Sequence, residues 1–240
     1  MVPNPPELAP TSISQWLRWV SANSDNPKSV ASRLRAARFR RFEMAVKHFP
    51  RPLRILDVGG LTRYWEDRGW AGHPEIHIFS LNLKPEKQKY ENITPITGNA
   101  TDLSQFEDKS FDVVFSNSVI EHLFVFENQQ RMAEEVQRVG KMYWVQTPNF
   151  WFPVEPHFLV PGWQWFPISL RVAIIRRWRC ASLGPYPDPL IARRAVEEIQ
   201  LLTRKELEVL FPDATFHVER FCGLVKSWTV TGSSVKLSGT

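Results

Sequence analysis

Cysteine is scarce, with Cys180 and Cys222 the only 2 in 240 residues. Two thiols cannot build the disulfide framework of a secreted scaffold, and no Cys-x-x-Cys or Cys/His spacing is present, so neither a structural zinc site nor another metal is expected. No secretory leader is expected either. The opening Met-Val-Pro-Asn-Pro-Pro-Glu has neither a basic start nor an apolar run, and the expectation is a protein kept in a reducing cytoplasm. No unbroken apolar run crosses a bilayer. Residues 158–175 have the length, but Pro161, Gly162, Gln164, Pro167 and Arg171 interrupt them and would leave polar groups in lipid. Charge of one sign is not in large surplus either. The 30 Lys+Arg against 25 Asp+Glu leave a net +5, short of the dense basic stripe of a dedicated nucleic-acid binder, so no nucleic-acid partner is expected.

What the chain does have is 43% hydrophobic residues, with 10 Trp and 16 Phe among them, enough for an ordinary globular core. Pro3, Pro5, Pro6 and Pro10 mark residues 1–10 as an extended tail. Ser12 and Gln15 have capping-box spacing ahead of Ile13, Trp16, Leu17 and Val20, which predicts a short helix. A second helix follows Asn26-Pro27. Phe39, Phe42, Val46 and Phe49 line one stripe of it, Arg33, Arg40 and Arg41 lie away from that stripe, and Pro50 ends it. Together these helices make residues 11–50 an N-terminal flank.

From residue 51 to 240 the pattern alternates. Short apolar runs at 53–58, 76–83, 93–96, 111–115 and 142–145 read as strands, with a helix over 127–139 whose C-cap falls at Gly140. Strands alternating with helices predict a parallel, doubly wound α/β sheet. Thr203 and Glu206 form a capping box that opens a helix stopped by Pro212. Runs 216–221 and 224–230, joined across Gly223, are too close for a crossover and must pair antiparallel. An aromatic insertion occupies 150–200.

In such a sheet, ligands bind beyond the carboxyl ends of the strands. The first strand ends in Asp57-Val-Gly59-Gly60, where glycine lets a ligand approach the backbone. The second ends at Asn82, the third at Gly98-Asn99-Ala100, and the fourth runs Ser110-Phe-Asp-Val-Val to Ser116-Asn117-Ser118-Val-Ile-Glu121-His122-Leu.

Taken in that order, over roughly residues 53–230, these segments resemble the class I S-adenosylmethionine-dependent methyltransferases, closest to the broad small-molecule branch of the type 11 kind. The resemblance implies a Rossmann-like fold of seven mostly parallel strands closed by an antiparallel C-terminal hairpin, with S-adenosylmethionine as cofactor. It implies that Asp57 and Gly59 hold the methionine end of that cofactor, with Gly60 lending the same cofactor-binding turn its freedom. By the same resemblance Asn82 stands where an acid takes the ribose hydroxyls, Asn99 and Ala100 where the adenine is read, and Ser116 and Asn117 beside the sulfonium. Two departures are plain. The second and third glycines of the usual Asp/Glu-x-Gly-x-Gly-x-Gly turn are absent, and two expected acids are asparagines, which accept hydrogen bonds without charge assistance.

If the acceptor is a hydroxyl, a base must take its proton, and His122 and His157 are the candidates, with Glu155 placed to orient His157 or bind substrate. His122 has a bland alternative as a packing residue at a helix start. The aromatic insertion has three readings: a cap helix completing the core, the wall of an apolar or sugar-stacking acceptor pocket, or, through residues 163–179 with Arg171, Arg176, Arg177 and Arg179, a peripheral contact with an anionic membrane. A nicotinamide dehydrogenase is excluded, because Gly59-Gly60-Leu-Thr-Arg-Tyr lacks Gly-x-Gly-x-x-Gly. An RNA methyltransferase is disfavoured by Ser116-Asn117-Ser118 in place of an Asn/Asp-Pro-Pro-aromatic turn. The expected function is therefore methyl transfer to a small-molecule acceptor, an amphipathic or sugar-like hydroxyl. The alternative is an inactive methyltransferase-like binding or scaffold subunit.

Overall fold

Strand β1 (Leu53–Val58) is buried except at Arg54, as expected for a parallel strand covered on both faces. The computed structural model describes residues 30–181 and 183–233. The proline-rich tail and the Ser12–Gln15 capping box lie outside the described residues. The chain divides into two compact units, one formed by Phe42–Phe152 with Arg193–Thr240, the other by Met1–Arg41 with Pro153–Ala192.

The first unit holds the sheet. After β1 come α2 (Thr62–Glu66), β2 (Ile76–Asn82), β3 (Ile93–Thr97), β4 (Phe111–Asn117), α3 (Phe126–Val139), β5 (Gly140–Pro148), α6 (Arg204–Leu210), β6 (Thr215–Phe221) and β7 (Leu224–Ser233); α1 (Val30–Val46) runs into this unit from the other. The strand order is β3-β2-β1-β4-β5-β7-β6. Strands β1 to β5 pair in parallel. β7 lies antiparallel between β5 and β6, the predicted hairpin. Its two-residue connection, Cys222 and Gly223, has positive φ at both positions (49° and 80°), which matches the right-handed twist of the strands it joins.

Local chemistry fixes several of these elements. The Thr203–Glu206 capping box forms as expected at the start of α6. Gly140 stands at the end of α3 but in extended conformation, as the first residue of β5, not as a left-handed cap. A glycine is required there by crowding, because a Cβ would lie 2.6 Å from the Met142 carbonyl oxygen. Within the Ser110-Phe-Asp-Val-Val segment, Asp112 is buried and accepts from the Arg54 amide (2.9 Å) and from Lys141 Nζ (2.8 Å), tying β1, β4 and β5 together at their amino ends. Phe42 and Val46, at the C-terminal end of α1, are buried in the sheet unit, where Phe42 packs on Trp65, Trp70, Phe115 and Trp144.

The second unit is built on local turns. Glu155 accepts from the amides of His157 and Phe158, both at 2.8 Å. The buried rings of Phe158 and Trp163 stack with centroids 4.2 Å apart. Helix α4 (Ile168–Arg177) follows, with Ile175 turned inward. Asp188 then caps α5 (Pro189–Glu197) by accepting from the amides of Leu190 and Ile191, and α5 returns the chain to the sheet unit.

Candidate active site

The order of the parallel strands reverses between β1 and β4, so the crevice beyond their carboxyl ends is where a ligand belongs. The β1–α2 turn forms one wall. Gly59 has φ +77°, a conformation that costs other residues. Gly60 serves a different need from the turn freedom expected of it, because the Asp57 carboxyl group packs against its Cα and a Cβ there would lie 1.8 Å from Asp57 Oδ2. Ser80 Oγ and Asn82 Nδ2, on one face of β2, both donate to the Gly60 carbonyl, at 3.0 and 2.8 Å. The amide at position 82 is thus explained by geometry. An aspartate could not donate to that carbonyl, whereas Asn82 braces the turn and keeps Oδ1 as an acceptor. At the far side of the turn, Glu86 accepts from the Thr62 amide at 2.7 Å, and Lys89 pairs with Glu66 at 2.6 Å.

Asp57 is the electrostatic centre of this wall. Its carboxyl group is 1% exposed. Trp65 Nε1 donates to Oδ2 at 2.6 Å, and Oδ1 is buried without a hydrogen-bond partner among the described residues. Desolvation pushes its pKa up from 3.8 to about 7, against the opposing pull of the Trp65 hydrogen bond. A buried carboxyl group with one unused oxygen, beside a glycine backbone, is suited to a cationic ligand group. Sequence reasoning missed Trp65 and Ser80. Ser80 was within reach, because it lies two residues before Asn82 and so on the same strand face.

Replacing Gly60 by Ala is expected to displace the Asp57 carboxyl group and to cost about 2 kcal/mol or more through overpacking. Urea denaturation of Gly60→Ala beside Gly69→Ala checks this, because a Cβ at Gly69 meets nothing within 4 Å and carries only the backbone cost of its φ of +72°, so the Gly60 variant should lose clearly more. Equal losses in the two variants would show that crowding at Asp57 is not the constraint.

The ends of β3 and β4 supply the other walls. Asn99 is exposed, its Oδ1 accepting from the Thr101 amide at 3.1 Å, and Ala100 beside it is half-buried. Ser116 is fully enclosed in β4, its hydroxyl among the buried groups without a partner among the described residues. Asn117 ends the strand, half-buried. Ser118 follows with φ +58°, a strained setting for a residue with a Cβ. Its hydroxyl donates to Gln146 Oε1 (3.1 Å) and its amide to the Gln146 carbonyl (2.9 Å), so β5 holds this corner. A 3₁₀ turn, Ile120–His122, comes next. Glu121 is fully buried and accepts from Thr147 Oγ1 at 2.9 Å. His122 Nδ1 lies 3.7 Å from Glu198 Oε1.

In the other unit, Glu155 and His157 form a pair of their own. Glu155 Oε1 meets His157 Nδ1 at 2.5 Å while Oε2 takes the two amides already named, and the carboxylate is 1% exposed. With Nδ1 committed to the carboxylate, the neutral ring carries its accepting lone pair on Nε2. The structure thus joins Asp57, Gly60 and Asn82 in one bonded turn that includes Gly59, and joins Glu155 to His157 in another.

A family model described as a methyltransferase domain matches residues 58–142, which run from the end of β1 into β5. Two uncharacterised proteins of Mycobacterium tuberculosis, from strains CDC 1551 and H37Rv, are each 29% identical over 148 residues, covering 54% of this chain and 49% of the relative. The chain spans about half the length of the curated relatives it matches. Among solved structures, a SAM-dependent methyltransferase from Archaeoglobus fulgidus superposes with a TM-score of 0.52 at 15% identity, over 84% of this chain and 94% of that one. The CurJ carbon methyltransferase does so with a TM-score of 0.54 at 12% identity, over 94% and 59%. At these identities the structures speak for the fold, and the matched segment carries the glycine turn and the strand ends described above. Residues 58–142 therefore match a methyltransferase-domain model, and the chain has the fold of the class I, S-adenosylmethionine-dependent methyltransferases.

Proposed function

We propose that the protein is an S-adenosylmethionine-dependent methyltransferase acting on a small-molecule acceptor, a hydroxyl of an amphipathic or sugar-like compound. The observation that carries the reading is the orphaned Asp57 Oδ1 buried against Gly60. A carboxyl group so placed fits the cationic methionine end of this cofactor, and the missing Cβ atoms at Gly59 and Gly60 let the turn pack against Val119 and the Asp57 carboxyl group. Asp57, Gly59, Gly60, Asn82, Asn99, Ala100, Ser116 and Asn117 are the residues that would hold it. S-adenosylmethionine supplies, when bound, a methyl group already activated on a sulfonium.

The protein's own contribution is then positioning and proton removal. Glu155 fixes the His157 ring through Nδ1 and stabilises the imidazolium that forms when Nε2 takes a hydroxyl proton. That oriented pair is what favours an oxygen acceptor. His122, with Glu198 beside it, is the second candidate base, whereas Glu155, buried with both oxygens bonded, serves to orient His157 and not to contact substrate.

Calorimetric titration with S-adenosylmethionine, and separately with S-adenosylhomocysteine, tests the cofactor site. Micromolar dissociation constants, about −8 kcal/mol, are expected. Silence of both ligands at millimolar concentration would favour the scaffold reading. His157→Ala is expected to leave those constants unchanged and to lower turnover of a hydroxyl acceptor by roughly 100-fold or more. Full turnover in that variant would remove His157 from the mechanism.

A further inference from the structure

The segment Pro153–Ala192 presents large apolar side chains to solvent: Trp165, Leu170, Trp178, Leu190 and Ile191 are all exposed, Trp178 by 61%. Its charges are one-sided. It contains Arg171, Arg176, Arg177 and Arg179, no lysine, and only two acids, Glu155 and Asp188. Both acids are committed, Glu155 inside its pair with His157 and Asp188 as the cap of α5. The arginines at the end of α4 bind backbone carbonyl oxygens: Arg176 that of Pro187, Arg177 that of Ala173 and Arg179 that of Ala181. Arg177 and Arg179 are exposed and Arg176 half-buried, none of them in a salt bridge among the described residues, so their charge is uncompensated at the surface, whereas Arg171 has its Nε buried.

Placement on the helix adds to this. Leu170 and Arg177 are seven residues apart, on one stripe of α4, and both are exposed. Trp165 stands just before the helix and Trp178 just after it, so an aromatic side chain flanks each end. Ten residues span about 15 Å, and no helix among the described residues is long and apolar enough to cross a membrane. A short helix with an exposed leucine, tryptophans at both ends and arginines without acids suits the plane of an anionic bilayer, where indole rings settle at headgroup depth and guanidinium groups meet phosphate.

We infer that this segment docks the protein on anionic lipid membranes, α4 lying flat with Leu170, Trp165 and Trp178 inserted and Arg176, Arg177 and Arg179 against headgroup phosphates. The inference is independent of the catalytic reading and would bring the protein to acceptors that reside in a bilayer.

Sedimentation of the full chain with vesicles tests it, using phosphatidylglycerol mixed with phosphatidylcholine against phosphatidylcholine alone, at low salt. Binding to the anionic vesicles is expected, with little to the neutral ones. At about fivefold per arginine, the triple variant Arg176→Gln, Arg177→Gln, Arg179→Gln should bind roughly 100-fold more weakly. Leu170→Ala with Trp178→Ala should weaken binding while leaving its salt dependence. Hydrogen exchange of the unaltered protein supplies a second reading that needs no variant to fold: anionic vesicles should slow exchange across residues 163–179. No sedimentation with anionic vesicles, equal binding to both vesicle types, or protection elsewhere but not in this segment would each overturn the inference. So would capture of a single-stranded RNA oligomer, but not of vesicles, by the same arginines.

Discussion

Asp57→Asn is expected to move two properties in opposite directions, making the folded protein more stable above pH 7 and removing cofactor binding. In the folded chain burial holds the Asp57 carboxyl group at a pKa of about 7, against 3.8 ordinarily. Between those values the folded state binds a proton that the unfolded state has lost. Stability from this group therefore falls as pH rises from about 4 to about 7 and is level beyond. A shift of this size corresponds to at most about 4 kcal/mol. An asparagine keeps an acceptor for Trp65 Nε1 but leaves an amide donor where Oδ1 was unpartnered, so a gain of about 1–3 kcal/mol at pH 8 is expected. The gain should vanish near pH 4. Urea denaturation of both proteins at pH 4, 6 and 8 measures it, and parallel pH profiles would refute the buried-acid account. The same ionisation governs the ligand. A cationic methionine end needs the carboxylate, so S-adenosylmethionine affinity should rise about tenfold per pH unit up to about pH 7 and then level, and Asp57→Asn should lose it by 100-fold or more. Flat affinity from pH 5 to 8 would place the cofactor's cation elsewhere.

How this centre was legible, and how far, follows from the range of each signal. The strands announced themselves because apolar runs between turn residues depend only on neighbours, and β1 matches its expected bounds. β4 and β5 run further than the apolar pattern suggested, through Ser116-Asn117 and Gln146-Thr147-Pro148. Those polar residues are extended because the ladder continues, and polar because they line the crevice end of the sheet. Hydrophobic periodicity is blind to such positions. Asp57, Gly59, Gly60 and Asn82 could be picked out as strand-end residues, but the reason for two of them lay in contacts across the chain. Gly60 answers to a carboxyl group that folds back on it, and Asn82 to a carbonyl 22 residues earlier. Trp65 could not be assigned to Asp57 before the direction of α2 was known. The Glu155–His157 pair and the Thr203–Glu206 cap were readable because each closes within three residues.

Phe42→Ala tests a packing role that sequence periodicity left with an N-terminal flank. It is expected to destabilise the protein by about 3–5 kcal/mol, the range for emptying a fully buried ring site. The Phe42 ring is 0% exposed, with centroids 4.9 Å from Phe115, 5.4 Å from Trp144, 5.6 Å from Trp70 and 6.4 Å from Trp65. These partners come from β4, β5, α2 and the loop after it. Large rigid rings cannot collapse into the space that a lost ring leaves, so the cavity persists and its cost stays near the upper end. One of the four, Trp65, is also the donor that holds Asp57 Oδ2. Loosening it frees the carboxyl group whose place against Gly60 defines the cofactor wall, so S-adenosylmethionine affinity should fall together with stability. Phe42→Leu fills most of the volume and should cost about 1–2 kcal/mol with affinity nearly kept. Urea midpoints and calorimetric titration of the two variants separate the effects. A loss below about 1 kcal/mol for Phe42→Ala would mean that the end of α1 only covers the sheet. A large loss of stability with unchanged affinity would mean that Asp57 keeps its position without support from the ring cluster behind Trp65.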